Sequence, residues 1–341
     1  MTIINRHTYQ QFTVPFAMAS LLAVMPCAAE ASAAKGPNPN TTHCTYTPPL
    51  PSDKKWTWAS ADIKARLVPI PKNSYAVDVV GQPINAAAKL PIASLTKNMT
   101  AYLVFEAIKT GHLKPTQKIP IAPAHFCLSD NDFATRYLPV GIRDITVADA
   151  LTLLLHQSNN TMALALADAV AGNEVQFVEK MNRNAASWGM KNTHFMNPNG
   201  LPVGNRKNEY ITAKDALILA QHMIDFEQDY RTYTLAALEV NGVRIKEKPH
   251  PEKGLLRGIG AIFKTATING CRSLMTIADA GPDKFVSVQL CAKEDRFAVI
   301  NRTLKNYWQQ AGLALDKMGI PRAEAHPVQL PPLHPTLSSH P

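Results

Sequence analysis

Pro91-Ile92-Ala93-Ser94-Leu95-Thr96-Lys97-Asn98-Met99-Thr100 marks the point where a polar loop turns into a long helix with apolar periodicity. Leu95, Met99, Leu103, Ala107 and Ile108 recur at helical spacing and Gly111 is a natural stop, which predicts a helix to about Lys109. A serine in the opening turn and a lysine three residues on share one helical face, about one turn apart. The amine can take the hydroxyl proton if burial or a neighbouring cation lowers its pKa, and the serine oxygen then becomes a nucleophile. The same spacing at Ser32 with Lys35 and at Ser52 with Lys55 falls in polar or Pro-rich sequence, where nothing buries or aligns the pair.

Outward from this stretch, a chain of 341 residues with 46% hydrophobic content is long enough for one large domain or two ordinary ones around a packed core. The net charge of +9 comes from scattered lysines and arginines without a dense run, which favours a basic soluble surface over nucleic-acid binding. Arg6 and His7, the apolar run from Phe12 to Met25 and the Ala-rich sequence from Ala29 to Ala34 read as an export signal over 1–34. The apolar run is short for a membrane span. Cys27 leaves a lipid-modified start open beside an ordinary signal, cleaved or uncleaved. Export places the protein in the periplasm or cell envelope, where disulfides form. Cys271 and Cys291 flank a probable hairpin with its turn at Asp279 to Lys284, so these two are expected to pair. No Cys-x-x-Cys or His-Glu-x-x-His spacing occurs, so neither a metal nor another cofactor is expected.

Along the chain, residues 35–58 read as a Pro-rich linker and 59–315 as the folded domain, followed by a Pro-rich disordered tail over 316–341. Ser74 to Val80 predicts a short strand, and Lys114 to Thr146 a mixture of strands and loops. Thr146 is a plausible N-cap, with Asp149 in a capping-box-like position, for a buried helix to about Leu155. His156-Gln157-Ser158-Asn159-Asn160 is then a polar tip before a second apolar helix, Thr161 to Val170. Ser158 and Asn160 can project to one side of that tip, or the serine and asparagines can act as simple caps. Helices follow over 174–191 and from Ala213, capped by Thr212, to about Asp225. Residues 226–258 read as irregular, with a possible hairpin at Glu239 to Arg244. Ile259 to Thr267, Arg272 to Ala278 and Phe285 to Cys291 predict strands, and Val299 to Gly312 a closing helix.

Taken together, Ser94-x-x-Lys97, Ser158-x-Asn160 and Lys264-Thr265-Ala266 resemble the three signature motifs of penicillin-interacting serine enzymes. Leu166-Ala167-Asp168, and Gly189-Met190-Lys191-Asn192-Thr193-His194-Phe195 followed by Gly200-Leu201, are similar to the D-alanyl-D-alanine carboxypeptidases, low-molecular-mass penicillin-binding proteins. The resemblance covers roughly 60–313. It implies an α/β fold, an αβα sandwich with an antiparallel five-stranded sheet covered by helices and an all-helical subdomain. It also implies a serine D,D-peptidase with peptidoglycan stem peptides ending in D-Ala-D-Ala as substrate and β-lactams as covalent inhibitors. By position, Ser94 is the nucleophile, Lys97 its base, and Ser158 a proton relay toward the leaving amine. Asn160 holds a substrate amide. Lys264 and Thr265 bind the terminal carboxylate, and Lys264 helps to keep Lys97 neutral. The backbone N–H groups of Ser94 and Thr267 form the oxyanion hole, and Arg296 is a carboxylate-binding arginine or a surface cation.

Two departures stand out. Position 266 is alanine where the third motif normally has glycine, so its methyl group is expected to narrow the groove, with acylation retained at an altered rate. The Pro-rich C-terminal sequence is too short and broken for the β-domain and anchoring helix of many relatives. Carboxypeptidase and cross-link-cutting D,D-endopeptidase activities both fit these residues. A non-catalytic muropeptide-binding protein and a β-lactamase are the competing readings, the latter lacking a clear extra base.

Overall fold

A computed structural model describes residues 59–66, 76–79, 85–128, 138, 141–202, 209–235, 239–240, 243–244, 256, 259–268, 270–280, 283–292 and 295–310. The expected export signal, the linker over 35–58 and the Pro-rich tail lie outside them. Five strands form one antiparallel sheet: β1 (Ala59–Arg66), β2 (Ala76–Val79), β7 (Ile262–Ile268), β8 (Cys271–Ala280) and β9 (Asp283–Leu290), in the order β2-β1-β9-β8-β7. Two small two-stranded sheets stand apart, β3 (Lys118–Pro120) with β4 (Asp144–Thr146) and β5 (Glu239–Val240) with β6 (Val243–Arg244).

Period-2 alternation gives the sheet two apolar faces. Ile262, Ala266, Met275, Ile277, Val286 and Val288 point into the main core. Phe263, Leu274, Ala278 and Phe285 point the other way, onto Phe297, Ile300 and Leu304. The latter three belong to the last helix, numbered α7 below. The helical part is built on α1 (Thr96–Lys109), which is buried on nearly every side from Thr96 to Phe105. Around it pack α2 (Val147–His156), α3 (Asn160–Ala171), α4 (Glu174–Ser187), α5 (Ala213–Met223) and α6 (Glu227–Leu235), and α7 (Arg296–Gln310) closes the other face of the sheet. Among the described residues no helix is long and apolar enough to cross a membrane.

The helix starts follow local chemistry. Thr146, Asn159, Asn173 and Thr212 each accept a hydrogen bond from the backbone N–H three residues on, which caps α2, α3, α4 and α5. The expected Cys271–Cys291 disulfide is present and ties the start of β8 to the residue after β9.

Three readings of the chain change. Strand β1, sitting between β2 and β9, has no counterpart in the sequence reading, because its pairing with β9 joins residues far apart in the chain and its alternation is weak. Helix α6 occupies part of the stretch read as irregular. It is held by Tyr230, whose hydroxyl donates to the Asn98 carbonyl at 2.5 Å, and by ion pairs from Arg231 to Glu227 and Asp279. Helix α4 ends at Ser187 instead of residue 191, as the chain turns through Gly189 at φ 80°.

Candidate active site

The site forms where the start of α1 meets the β7 end of the sheet order. Residues 93–95 make a single 3₁₀ turn leading into α1, and this turn packs against β7. Ala93 has φ 49°, a left-handed conformation costly for a residue with a Cβ, and it presents Ser94 at the head of the helix. Lys97 is fully buried, and its Nζ donates to Ser94 Oγ at 3.2 Å and to the Asn199 carbonyl at 2.5 Å. Burial pulls the lysine from its usual 10.5 down to about 7, against an opposing pull from Glu209. A base with this pKa is half neutral near physiological pH. Burial is the largest influence on the lowered pKa of the amine.

The Asn199 carbonyl comes from the turn Asn197-Pro198-Asn199-Gly200-Leu201. Asn197 Oδ1 accepts the N–H groups of Asn199 and Gly200, Asn199 Oδ1 accepts that of Leu201, and Thr100 Oγ1 donates to the Pro198 carbonyl at 2.6 Å. Gly200 lies at φ 78°, and a Cβ there would overlap the Ala93 carbonyl and crowd Thr96 Oγ1 at 2.9 Å. The turn is thus pressed against the backbone that carries the serine.

Ser158 stands in the loop between α2 and α3 at φ 58°, a second strained residue at this site. The capping alternative is resolved by Asn159, whose side chain accepts from Met162 N at 3.0 Å and leaves Ser158 for other contacts. Lys264, buried on β7, donates to Ser158 Oγ at 2.7 Å and to the Thr265 carbonyl at 3.0 Å. This bond joins the sheet to the helical part across the groove. Asn160 begins α3 two residues after Ser158. Thr265 is half-buried and Thr267 exposed on β7. Arg296, the first residue of α7, reaches the same strand: its Nη1 donates to the Ala266 carbonyl at 2.6 Å, to Thr267 Oγ1 at 3.1 Å and to the Ser273 carbonyl at 3.2 Å. All three motifs and Arg296 therefore converge.

Ala266 is buried and, two residues on from Lys264, shares that residue's face of β7, so its methyl group lies on the side where the expected narrowing of the groove would act. Among the described residues no three His, Cys, Asp or Glu side chains cluster as a metal site. A cleft of about 710 Å³ lined by Tyr102, Glu106, Lys109, His112, Lys180 and Asp225 contains none of the motif residues.

A serine, a buried low-pKa lysine, a second serine held by a cation and an edge strand with its own arginine form one acyl-transfer constellation. The sequence profile of the D-alanyl-D-alanine carboxypeptidase family matches residues 79–270, more than half of the chain and all three motifs. The chain belongs to this family. D-alanyl-D-alanine carboxypeptidase DacA of Haemophilus influenzae is 32% identical over 182 residues, which is 53% of this chain and 43% of the relative. A D-alanyl-D-alanine endopeptidase of Pseudomonas aeruginosa is 36% identical over 116 residues, covering 34% and 35% of the two chains. The chain thus spans about half or less of the length of these carboxypeptidase-family relatives. Among solved structures, penicillin binding protein 6B from Escherichia coli superposes with a TM-score of 0.60 at 25% identity, covering 79% of this chain and 82% of the other. The carboxypeptidase-family fold is therefore the expected α/β arrangement, with helices around an antiparallel sheet.

Glu209 and the Asn199 carbonyl were not singled out from sequence. The carbonyl belongs to an ordinary-looking turn, and Glu209 lies far from Lys97 in the chain, so no local spacing connects them.

Proposed function

We propose that this protein is a serine-type D-alanyl-D-alanine carboxypeptidase acting on peptidoglycan stem peptides in the cell envelope, reached by an N-terminal export signal over 1–34. The observation that carries the reading is Lys97 Nζ at 3.2 Å from Ser94 Oγ, buried and with its pKa drawn to about 7. Ser94 Oγ attacks the carbonyl carbon of the penultimate D-alanine as its proton passes to Lys97 Nζ. The tetrahedral oxyanion lies against the N–H groups of Ser94 and Thr267, donors worth roughly 3 kcal/mol each at such sites. The C–N bond then breaks, and the leaving amine of the terminal D-alanine takes a proton relayed through Ser158. Water releases the acyl group. Asn160 holds the substrate amide, Lys264 and Thr265 receive the terminal carboxylate, and Arg296 adds its charge while fixing Thr267. A β-lactam carbonyl would be attacked in the same way and leave a stable adduct on Ser94.

A second reading is cleavage of cross-links by the same chemistry, supported by the likeness to the Pseudomonas aeruginosa endopeptidase. Mass spectrometry after benzylpenicillin treatment is expected to place the adduct on Ser94, with none in Ser94→Ala. Digestion of purified muropeptides then separates the activities: free D-alanine marks the carboxypeptidase, and conversion of dimers to monomers the endopeptidase. Labelling without either product would identify a binding protein, and rapid nitrocefin turnover a β-lactamase.

A further inference from the structure

Lys97 shares its buried surroundings with a second ionisable group that the reaction above does not use. Glu209 is 8% exposed, and the backbone sets its place: Tyr210 bridges to His194, and Ile211 to Leu90, just ahead of the Ser94 turn. Thr96, fully buried and adjacent to Lys97 in the chain, donates from Oγ1 to Glu209 Oε1 at 3.4 Å. The lysine nitrogen is directed elsewhere, to Ser94 Oγ and the Asn199 carbonyl. The amine and the carboxyl are thus neighbours linked through Thr96, and their hydrogen bonds go to other partners. Two full charges held this way lose their hydration without gaining a direct contact. Moving one proton from the amine to the carboxyl gives two neutral groups with the same proton count.

We propose that Glu209 keeps its proton in the working site, so that no carboxylate holds Lys97 as an ammonium, and that Thr96 holds the carboxyl in register for this. The inference rests on the acyl-transfer reading of Ser94 and Lys97. Glu209 is a positioning and charge-setting residue, since the proton of Ser94 Oγ–H passes to Lys97 Nζ and the carboxyl exchanges nothing at that step. The electrostatics agree. Burial raises Glu209 from 4.5 to about 8, against the Thr96 hydrogen bond and the Lys97 charge, while burial lowers Lys97 to about 7. Between these values the carboxyl is protonated and the amine is not. The groups facing Lys97 are Ser94 on its own turn, the Asn199 carbonyl and Glu209, while Lys264 on β7 is turned to Ser158.

The test is an NMR titration of the chain with lysine labelled by carbon-13 at Cε, the Lys97 signal being the one lost in Lys97→Arg. The expected wild-type signal titrates near 7 and senses a second step near 8. In Glu209→Gln the second step vanishes while the lysine midpoint stays near 7, because the amide matches the neutral carboxyl that faces the amine during its own titration. The acid limb of the rate of acylation by a fluorescent penicillin stays with it. A lysine midpoint that falls in Glu209→Gln would overturn the proposal, since it would show a carboxylate holding the ammonium, as would a second step that persists. Thr96→Val is a second variant, expected to move the Glu209 step upward by removing the hydroxyl that stabilises its carboxylate, and an unmoved step there counts equally against it. If the wild type forms no Ser94 adduct, the acyl-transfer reading fails, while the titration still answers for the Lys97 and Glu209 pair.

Discussion

As the base we propose, Lys97 acts only while uncharged, and its environment sets when that is so. Its folded pKa, drawn down by burial to about 7, predicts that acylation by a penicillin rises with pH through neutrality and levels off above it, which stopped-flow fluorescence across pH checks. Gly200 shows the same dependence on close fit from the other side. Gly200→Ala brings a Cβ onto the Ala93 carbonyl in a left-handed conformation, so a loss on the order of 3 kcal/mol is expected in urea unfolding, together with slower Ser94 labelling. Arg296 spends three hydrogen bonds on Ala266, Thr267 and Ser273. Arg296→Ala is expected to raise KM for peptides ending in D-Ala-D-Ala about tenfold or more, with a smaller change in kcat, as steady-state D-alanine release will show.

At the scale of elements, the β8–β9 hairpin is fastened to α6 by a network in which Arg231 and Lys284 both bridge Glu227 and Asp279. Helix α6 in turn supports α1 through Tyr230 and the Asn98 carbonyl. Burial pushes the Asp279 carboxyl upward, but the Lys284 hydrogen bond, the charges of Arg231 and Lys284 and the Arg231 hydrogen bond together hold it below its ordinary 3.8. A depressed carboxylate stabilises the fold above its unfolded pKa and loses that contribution as pH falls through the folded value. Asp279→Asn is therefore expected to lower the thermal midpoint at neutral pH and to cost little in strong acid, which calorimetry at the two pH values distinguishes.

Across the whole molecule, the groove lies where the helical part and the sheet meet, and the Lys264–Ser158 bond crosses that boundary. A covalent ligand on Ser94 that also touches β7 bridges the two parts. Benzylpenicillin is accordingly expected to raise the thermal midpoint by several degrees, an amount that corresponds to about 1–2 kcal/mol for a domain of this size. Ser94→Ala, which cannot form the adduct, should show almost none of this rise in differential scanning fluorimetry.

Local signals were sufficient for much of this protein. The spacing of Ser94 and Lys97 at a helix start, the Thr146 and Thr212 caps, and the Cys271–Cys291 pair across a hairpin all depend on residues close in sequence, where propensity and periodicity act directly. The identity of the three motifs was legible for the same reason. Tertiary structure alone decided what those residues experience. Strand β1 entered the sheet through pairing with β9 more than 200 positions away. Burial set the charge of Lys97, and two separate distant segments brought the Asn199 carbonyl and Glu209 into its surroundings. Desolvation and packing depend on what fills the space around a group, and that is fixed only when distant segments of the chain fold together.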